Sequence, residues 1–220
     1  MLYVQKMILA CFILCIVFSS TLAESIQFGD LEYSLLNESA VVVGCKGDTK
    51  KILQIPGEVL GMPVVGISEK AFFNNQDLWA VILPSTIQYI DRGAFSDSSL
   101  HEIILNDGLL SIGEGAFAYS KLASICIPQS VQQIDRCAFF ECTNLRSASI
   151  DANIDVIEEQ TFFECINLYE VHLPNSIKAI HDEAFYFCYS IEKYNLPEEL
   201  IAVGNGAFWG TEIEQVLESD

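Results

Sequence analysis

The stretch Ile157-Glu158-Glu159-Gln160-Thr161-Phe162-Phe163-Glu164-Cys165-Ile166-Asn167-Leu168-Tyr169-Glu170-Val171-His172-Leu173-Pro174-Asn175-Ser176-Ile177 decides how this chain folds. Val171 and Leu173 alternate about one residue, as the two inward positions of a short strand do. Pro174 opens a turn, and Ile157, Phe162, Leu168 and Ile177 complete an apolar set. The same set returns along the chain. Phenylalanines stand at 72, 95, 117, 139, 162, 185 and 208, at steps of 22 or 23 residues. Each is preceded by Ala71, Ala94, Ala116, Ala138, Thr161, Ala184 or Ala207, and five residues upstream by Ile67, Ile90, Ile112, Ile134, Ile157, Ile180 or Val203. Downstream follow Leu78, Leu100, Leu122, Leu145, Leu168, Ile191 and Ile213, then strand pairs such as Val81 with Leu83, Ile103 with Leu105 and Ile125 with Ile127. A fixed period of this length is the mark of a solenoid.

A unit of this size cannot bury its apolar side chains alone, but stacked coils can, because equivalent positions lie over one another. The stretch from Ile67 to Leu78 lacks alternation and predicts a helical turn or two. The expected fold is therefore an α/β solenoid. Its coils of 22–23 residues carry short parallel strands on one face and short helical turns on the other. The string Ile-x-x-x-Ala-Phe-x-x-Cys-x-x-Leu-x-x-Val-x-Leu-Pro-x-x-Ile resembles the BspA-like leucine-rich repeats, with 157–177 the best copy and Thr161 in place of Ala. The resemblance covers about residues 67–217, and Gly61-Met62-Pro63-Val64-Val65-Gly66-Ile67 looks like that family's first turn. It implies a surface or secreted protein of a bacterium or protist that binds hosts, matrix or other cells. It supplies no catalytic residues.

Residues 1–23 read as a signal peptide. Lys6 is their only charge, Met7–Phe18 is an unbroken apolar run of twelve, and Thr21 and Ala23 offer a small-residue exit. A membrane span needs about 18 or more apolar residues, so the run suits export better than anchoring. Residues 24–66 are off-period and predict a capping hairpin, Leu31–Leu35 with Ala40–Val43 around Asn37, followed by a first turn carrying an extension. Residues 67–220 are the solenoid of about seven repeats, in which Ile213–Leu217 predicts a last strand ending at Glu218. Charge there either blunts the final edge or marks an array that simply stops. Asn37-Glu38-Ser39 is a glycosylation acceptor if the host is a eukaryote.

The composition narrows the chemistry. Eleven basic against 30 acidic residues give a formal charge of −19, which repels phosphate backbones and argues against nucleic acid. Cys142, Cys165 and Cys188 share one register, alongside Asn75, Ser98, Ser120 and Thr211. They read as a buried column of small residues meeting backbone groups, with an inter-coil disulfide or a metal site as alternatives. Cys45, Cys126 and Cys137 form no zinc-like spacing. His101, His172 and His181 occupy different rows of the coil, and no nucleophile elbow, phosphate-binding loop or zinc-protease motif occurs. The pairs Glu158-Glu159 and Asp182-Glu183 fall where each helical segment would start, suiting its macrodipole. No cofactor, metal or catalytic residue is expected.

The strand-lined face remains. Its outward rows hold Ile82, Ile104, Cys126, Ser149, His172 and Asn195; then Ala80, Glu102, Ser124, Ser147, Glu170 and Lys193; then Trp79, His101, Ala123, Arg146, Tyr169 and Glu192. Trp79, Ile82, His101 and Ile104 suggest one partner-binding patch, and Arg146, Tyr169 and His172 another, since aromatics and arginine anchor interfaces. The expectation is an exported, non-enzymatic recognition protein, extracellular or on a cell surface, that binds a protein or glycan. The alternatives are a passive structural repeat protein and, less well supported, a secreted enzyme.

Overall fold

The computed structural model describes residues 25–46 and 51–217. The signal-peptide reading of 1–23 and the charge at Glu218 lie outside the described residues. Each coil runs strand, turn, short strand and tight turn, and successive coils stack in parallel.

The face with alternating residues is built as expected. Ile52–Gln54, Ala80–Ile82 and Glu102–Ile104 form a parallel sheet with Leu53, Val81 and Ile103 in register. Ser124–Ile127, Ser147–Ile150, Glu170–His172 and Lys193–Tyr194 form a second, with Ile125, Ala148, Val171 and Tyr194 in register. A backbone bond from Ala123 N–H to the His101 carbonyl (3.2 Å) spans the seam between them.

The other side differs from the sequence expectation. From Ile67 to Leu78, and in the same stretch of the later coils as far as Thr211, there is no helix. Two-residue strands instead form at the leading aliphatic position. Tyr89–Ile90, Ser111–Ile112 and Gln133–Ile134 are one run, and Val156–Ile157, Ala179–Ile180 and Ala202–Val203 another. The physical reason lies in the backbone on both sides of each core phenylalanine. Two residues before it, Lys70, Gly93, Gly115, Cys137, Gln160, Glu183 and Gly206 have φ between 55° and 63°. Two residues after it, Asn74, Asp97, Tyr119, Glu141, Glu164, Phe187 and Gly210 are also left-handed. A left-handed residue every four positions prevents a right-handed helix from propagating. The backbone bonds then go between coils. Phe72 N–H donates to the Ala94 carbonyl (2.8 Å), Phe95 to Ala116 (2.7 Å) and Phe117 to Ala138 (2.9 Å), and the pattern continues through Phe185 to Ala207. With no helix, the paired carboxylates serve no macrodipole. Glu158 meets His181 Nδ1 at 2.9 Å, and Asp182 accepts the Asn205 N–H at 2.8 Å.

The core is a set of columns. The seven phenylalanines are at most 5% exposed and stack face to face, centroids 5.1–5.5 Å apart and planes within 10°. The cysteine column takes its small-residue form. Cys142, Cys165 and Cys188 are buried, and each thiol donates to the carbonyl of the preceding coil's phenylalanine: Phe117 (3.0 Å), Phe139 (3.2 Å) and Phe162 (3.0 Å). Ser98 and Thr211 hydroxyls donate to their own coil's Phe95 and Phe208 carbonyls at 2.7 Å. Cys45 joins the far end of the column, 3.3 Å from Asn75 Nδ2.

At the N-terminal end, Ser25–Phe28, Leu31–Leu36 and Ser39–Cys45 are antiparallel strands, with Asn37 left-handed at the tip. The third of these pairs in parallel with Met62–Ile67, which continues the first coil's edge. The extension in the first turn is a hairpin, Glu58–Val59 against Met62–Pro63, turned by Leu60 and Gly61 at φ 53° and 79°. Both central residues at positive φ match the twist of a tight hairpin. At the C-terminal end the predicted strand Ile213–Leu217 is instead a helix, Glu212–Leu217. A strand there would sit at an open edge with half its backbone groups unpaired, whereas a helix bonds its own. Ile213 still reaches its column, at 2% exposure.

Phe139→Ala removes a ring with neighbours on both sides and is expected to cost about 3–5 kcal/mol, lowering Tm by roughly 6–20 °C; a calorimetric melt unchanged from wild type contradicts the ladder. Burial pushes the Cys142 thiol up to about 12, and burial holds Cys165 and Cys188 well above the usual thiol range. The fold therefore favours the protonated thiols. Their contribution to stability is complete below about pH 8.5 and is lost as the pH climbs toward the raised values. Denaturant midpoints measured from pH 8 upward should fall as the pH approaches about 12. The decline should flatten in Cys142→Ser, whose hydroxyl does not titrate there.

Candidate functional site

On the strand face, residues flanking the inward pair point to solvent because side chains alternate across a strand. The N-terminal patch forms as a contact group. Trp79 stacks on His101 with centroids 5.8 Å apart and planes 17° apart. The His101 ring is held by a bond of 2.6 Å from Nδ1 to the Ser99 carbonyl. A carbonyl cannot donate, so Nδ1 carries a proton. Ile82 and Ile104 are register partners on adjacent strands, 45% and 67% exposed.

Beyond Ile104 the seam between the two sheets opens into a shallow groove of about 520 Å³, lined by Glu102, Ile104, Ser124, Cys126, Gln129 and Asp151 among others. Ser124 and Cys126 pass into a second groove with Ser149, Glu170 and His172. Glu170 and Ser147 in turn border a third, containing Arg146, Asn167, Tyr169 and Ser190. Adjoining grooves thus link Ile104 of one patch to His172, Arg146 and Tyr169 of the other. Lys193 Nζ lies 5.4 Å from the Tyr169 ring centroid, a cation–π contact. Ala80 is the exception to the outward rows: it is buried because its methyl lies between the longer Ile52 and Glu102 on the paired strands.

Cys126 is exposed, but partial burial first, and then the neighbouring Asp151 carboxylate, raise its thiol above the usual range, which leaves less thiolate. Its Sγ is 3.8 Å from Asp151 Oδ2. His101 is committed to Ser99, and His181 pairs with Glu158 in another row. Among the described residues no group of three or more His, Cys, Asp or Glu side chains is placed to hold a metal ion, and no helix is long and apolar enough to cross a membrane.

The sequence reading passed over one row. The residue after each core phenylalanine is often aromatic (Phe73, Phe140, Phe163, Tyr186, Trp209). It points away from the core on the turn side, where Phe140 and Phe163 stack at 4.7 Å. The doublets Phe72-Phe73, Phe139-Phe140 and Phe162-Phe163 were the available signal.

The chain matches the BspA type leucine rich repeat region in six copies, across residues 65–178 and 111–218. Among solved structures it is similar to the leucine rich repeat protein of T. pallidum, at 27% identity and a TM-score of 0.80, covering 89% of this chain and 95% of that one. It is also similar to a leucine rich cell surface protein of Faecalibacterium prausnitzii, at 25% identity and a TM-score of 0.69, covering 87% of this chain and 53% of that one. A leucine-rich repeat protein of Bacteroides ovatus shares the fold at 24% identity and a TM-score of 0.67, over 85% of this chain and 57% of that one. The chain therefore spans little more than half the length of the latter two. No curated protein matches it in sequence.

Proposed function

We propose that this chain, which belongs to the BspA-type leucine-rich repeat family, is an exported, non-enzymatic recognition protein that binds a protein or glycan partner through its strand-lined face. The observation that carries this reading is the track of adjoining grooves. It has a stacked Trp79–His101 pair and exposed Ile82 and Ile104 at one end, and Arg146, Tyr169 and His172 at the other. Exposed aromatics and arginine on a rigid scaffold are the usual anchors of an interface. Shallow open grooves offer area to a macromolecule rather than enclosure to a small substrate.

Export rests on the apolar run Met7–Phe18 and its small-residue exit, which make residues 1–23 a signal peptide in this reading. The cell-surface description of the Faecalibacterium neighbour is consistent with it. Residues 24–66 then serve as the N-terminal cap and first turn, and 67–220 as the recognition solenoid. The partner is a surface or matrix component. The charge of −19 favours basic regions on it and makes association salt-sensitive.

The double variant Trp79→Ala, Tyr169→Ala removes one anchor from each end of the track. Pull-downs against mammalian cell-surface extract and purified matrix proteins should lose the partner that wild type captures, by about tenfold or more, with the melting temperature unchanged. Undiminished capture by the double variant would place recognition off this face.

A further inference from the structure

The turn side of the solenoid carries a second surface, separate from the strand-lined track. Core phenylalanines 139, 162 and 185 are at most 1% exposed, so the residue after each is turned outward. Phe140, Phe163 and Tyr186 are half-buried and stack in a column, 4.7 and 5.0 Å apart with planes within 3°. Tyr119 leans on Phe140 at 5.5 Å, Phe187 on Tyr186 at 4.1 Å, and Tyr189 on Phe187 at 5.0 Å. Six rings thus touch in an unbroken chain over four coils. Tyr119 and Tyr189 remain 42% and 56% exposed.

Carboxylates border this strip. Burial first, and then the nearby Glu141 carboxylate, raise the Tyr119 phenol above its usual range. Glu164 holds the equivalent place one coil on, since the N–H groups of Glu141 and Glu164 bond the Phe163 and Tyr186 carbonyls in turn, each at 2.8 Å. Glu183 Cγ and Tyr186 Cδ2 lie 3.7 and 3.6 Å from where a side chain on Gly206 would begin, and Glu183 accepts from Gln160 Nε2 at 2.7 Å. In these four coils neither the left-handed positions nor the aromatic row between them holds a lysine or arginine. The strip therefore joins π faces to a net negative border, with Lys121, close to Cys142, as a cation at its Tyr119 end. A second copy of this chain would bring like charges together, and a neutral glycan would leave the carboxylates without a counter-charge. A guanidinium satisfies both features, because its plane stacks on a ring while its edge donates to a carboxylate.

We infer that the turn-side aromatic strip from Tyr119 to Tyr189 is a docking surface for an arginine-rich polypeptide segment. The inference does not depend on the strand-lined face being used. Fluorescence anisotropy with labelled deca-arginine and deca-lysine peptides tests it on the folded chain. Wild type should bind deca-arginine about tenfold more tightly than deca-lysine. Glu141→Gln, Glu164→Gln, Glu183→Gln together should weaken deca-arginine about tenfold, whereas Glu38→Gln, Glu58→Gln, Glu69→Gln, exposed near the N-terminal end and outside both surfaces, should change it less than about twofold. Phe163→Leu, Tyr186→Leu should abolish the preference for arginine. Equal losses from the two charge triples would reduce the effect to the general negative field and overturn the proposal. So would an arginine preference that survives loss of the rings. Displacement of the peptide by cellohexaose would reassign the strip to glycan, and a dimer in sedimentation equilibrium lost on ring replacement would reassign it to a second copy. The charge triple, being isosteric, keeps the test decisive if the ring variant melts early.

Discussion

The spacing between neighbouring coils governs this molecule. Parallel strands lie about 4.8 Å apart, and every side chain that recurs with the repeat must accept a copy of itself at nearly that distance. A phenyl ring does so by stacking with a slight offset, as the core centroids at 5.1–5.5 Å show. The same constraint acts on the backbone. The N–H of each core phenylalanine through Phe185 is taken by a carbonyl of the next coil, so ring stacking and hydrogen bonding enforce one register together. A slip of one residue would break both at once, which is why apolar positions return so regularly.

The polar column obeys the same geometry. Three cysteines at equivalent positions point in parallel, so each thiol faces the carbonyl of the preceding coil rather than a neighbouring sulfur. Serine, threonine and cysteine all fit here because each is small and carries one donor, though the Ser98 and Thr211 hydroxyls bond their own coil and the three thiols the preceding one. Among the described residues no buried side-chain nitrogen or oxygen lacks a partner. This column thus binds the coils while leaving the thiols protonated and inert.

The two flanks differ by what each coil may vary. Inward positions are held by stacking, so variation is confined to outward ones. On the strand side it yields a track with Trp79, Arg146 and Lys193 among acids; on the turn side it yields touching rings bordered by glutamates. The first offers mixed chemistry and the second a uniform π and negative character. Each is presented on a scaffold whose core columns do not need to move.

The repeat, the inward columns, the strand face and the small-residue register of Cys142, Cys165 and Cys188 could be read from the chain itself, because a period shared by seven phenylalanines reports stacking directly. The turn side could not. Left-handed backbone at Gln160, Glu164 or Phe187 leaves no mark in residue type, and without it the Ile67–Leu78 stretch is indistinguishable from a short helix. The helix at Glu212–Leu217 likewise depends on standing at an open edge, where no next coil supplies bonds for a strand. Nor does residue order reveal that two patches on the strand face are joined by grooves at a seam between sheets, or that Tyr119 and Tyr189 continue a column of rings. Periodicity determines which side chains stack; only the packed coils decide how the backbone turns between them, and therefore which outward residues meet.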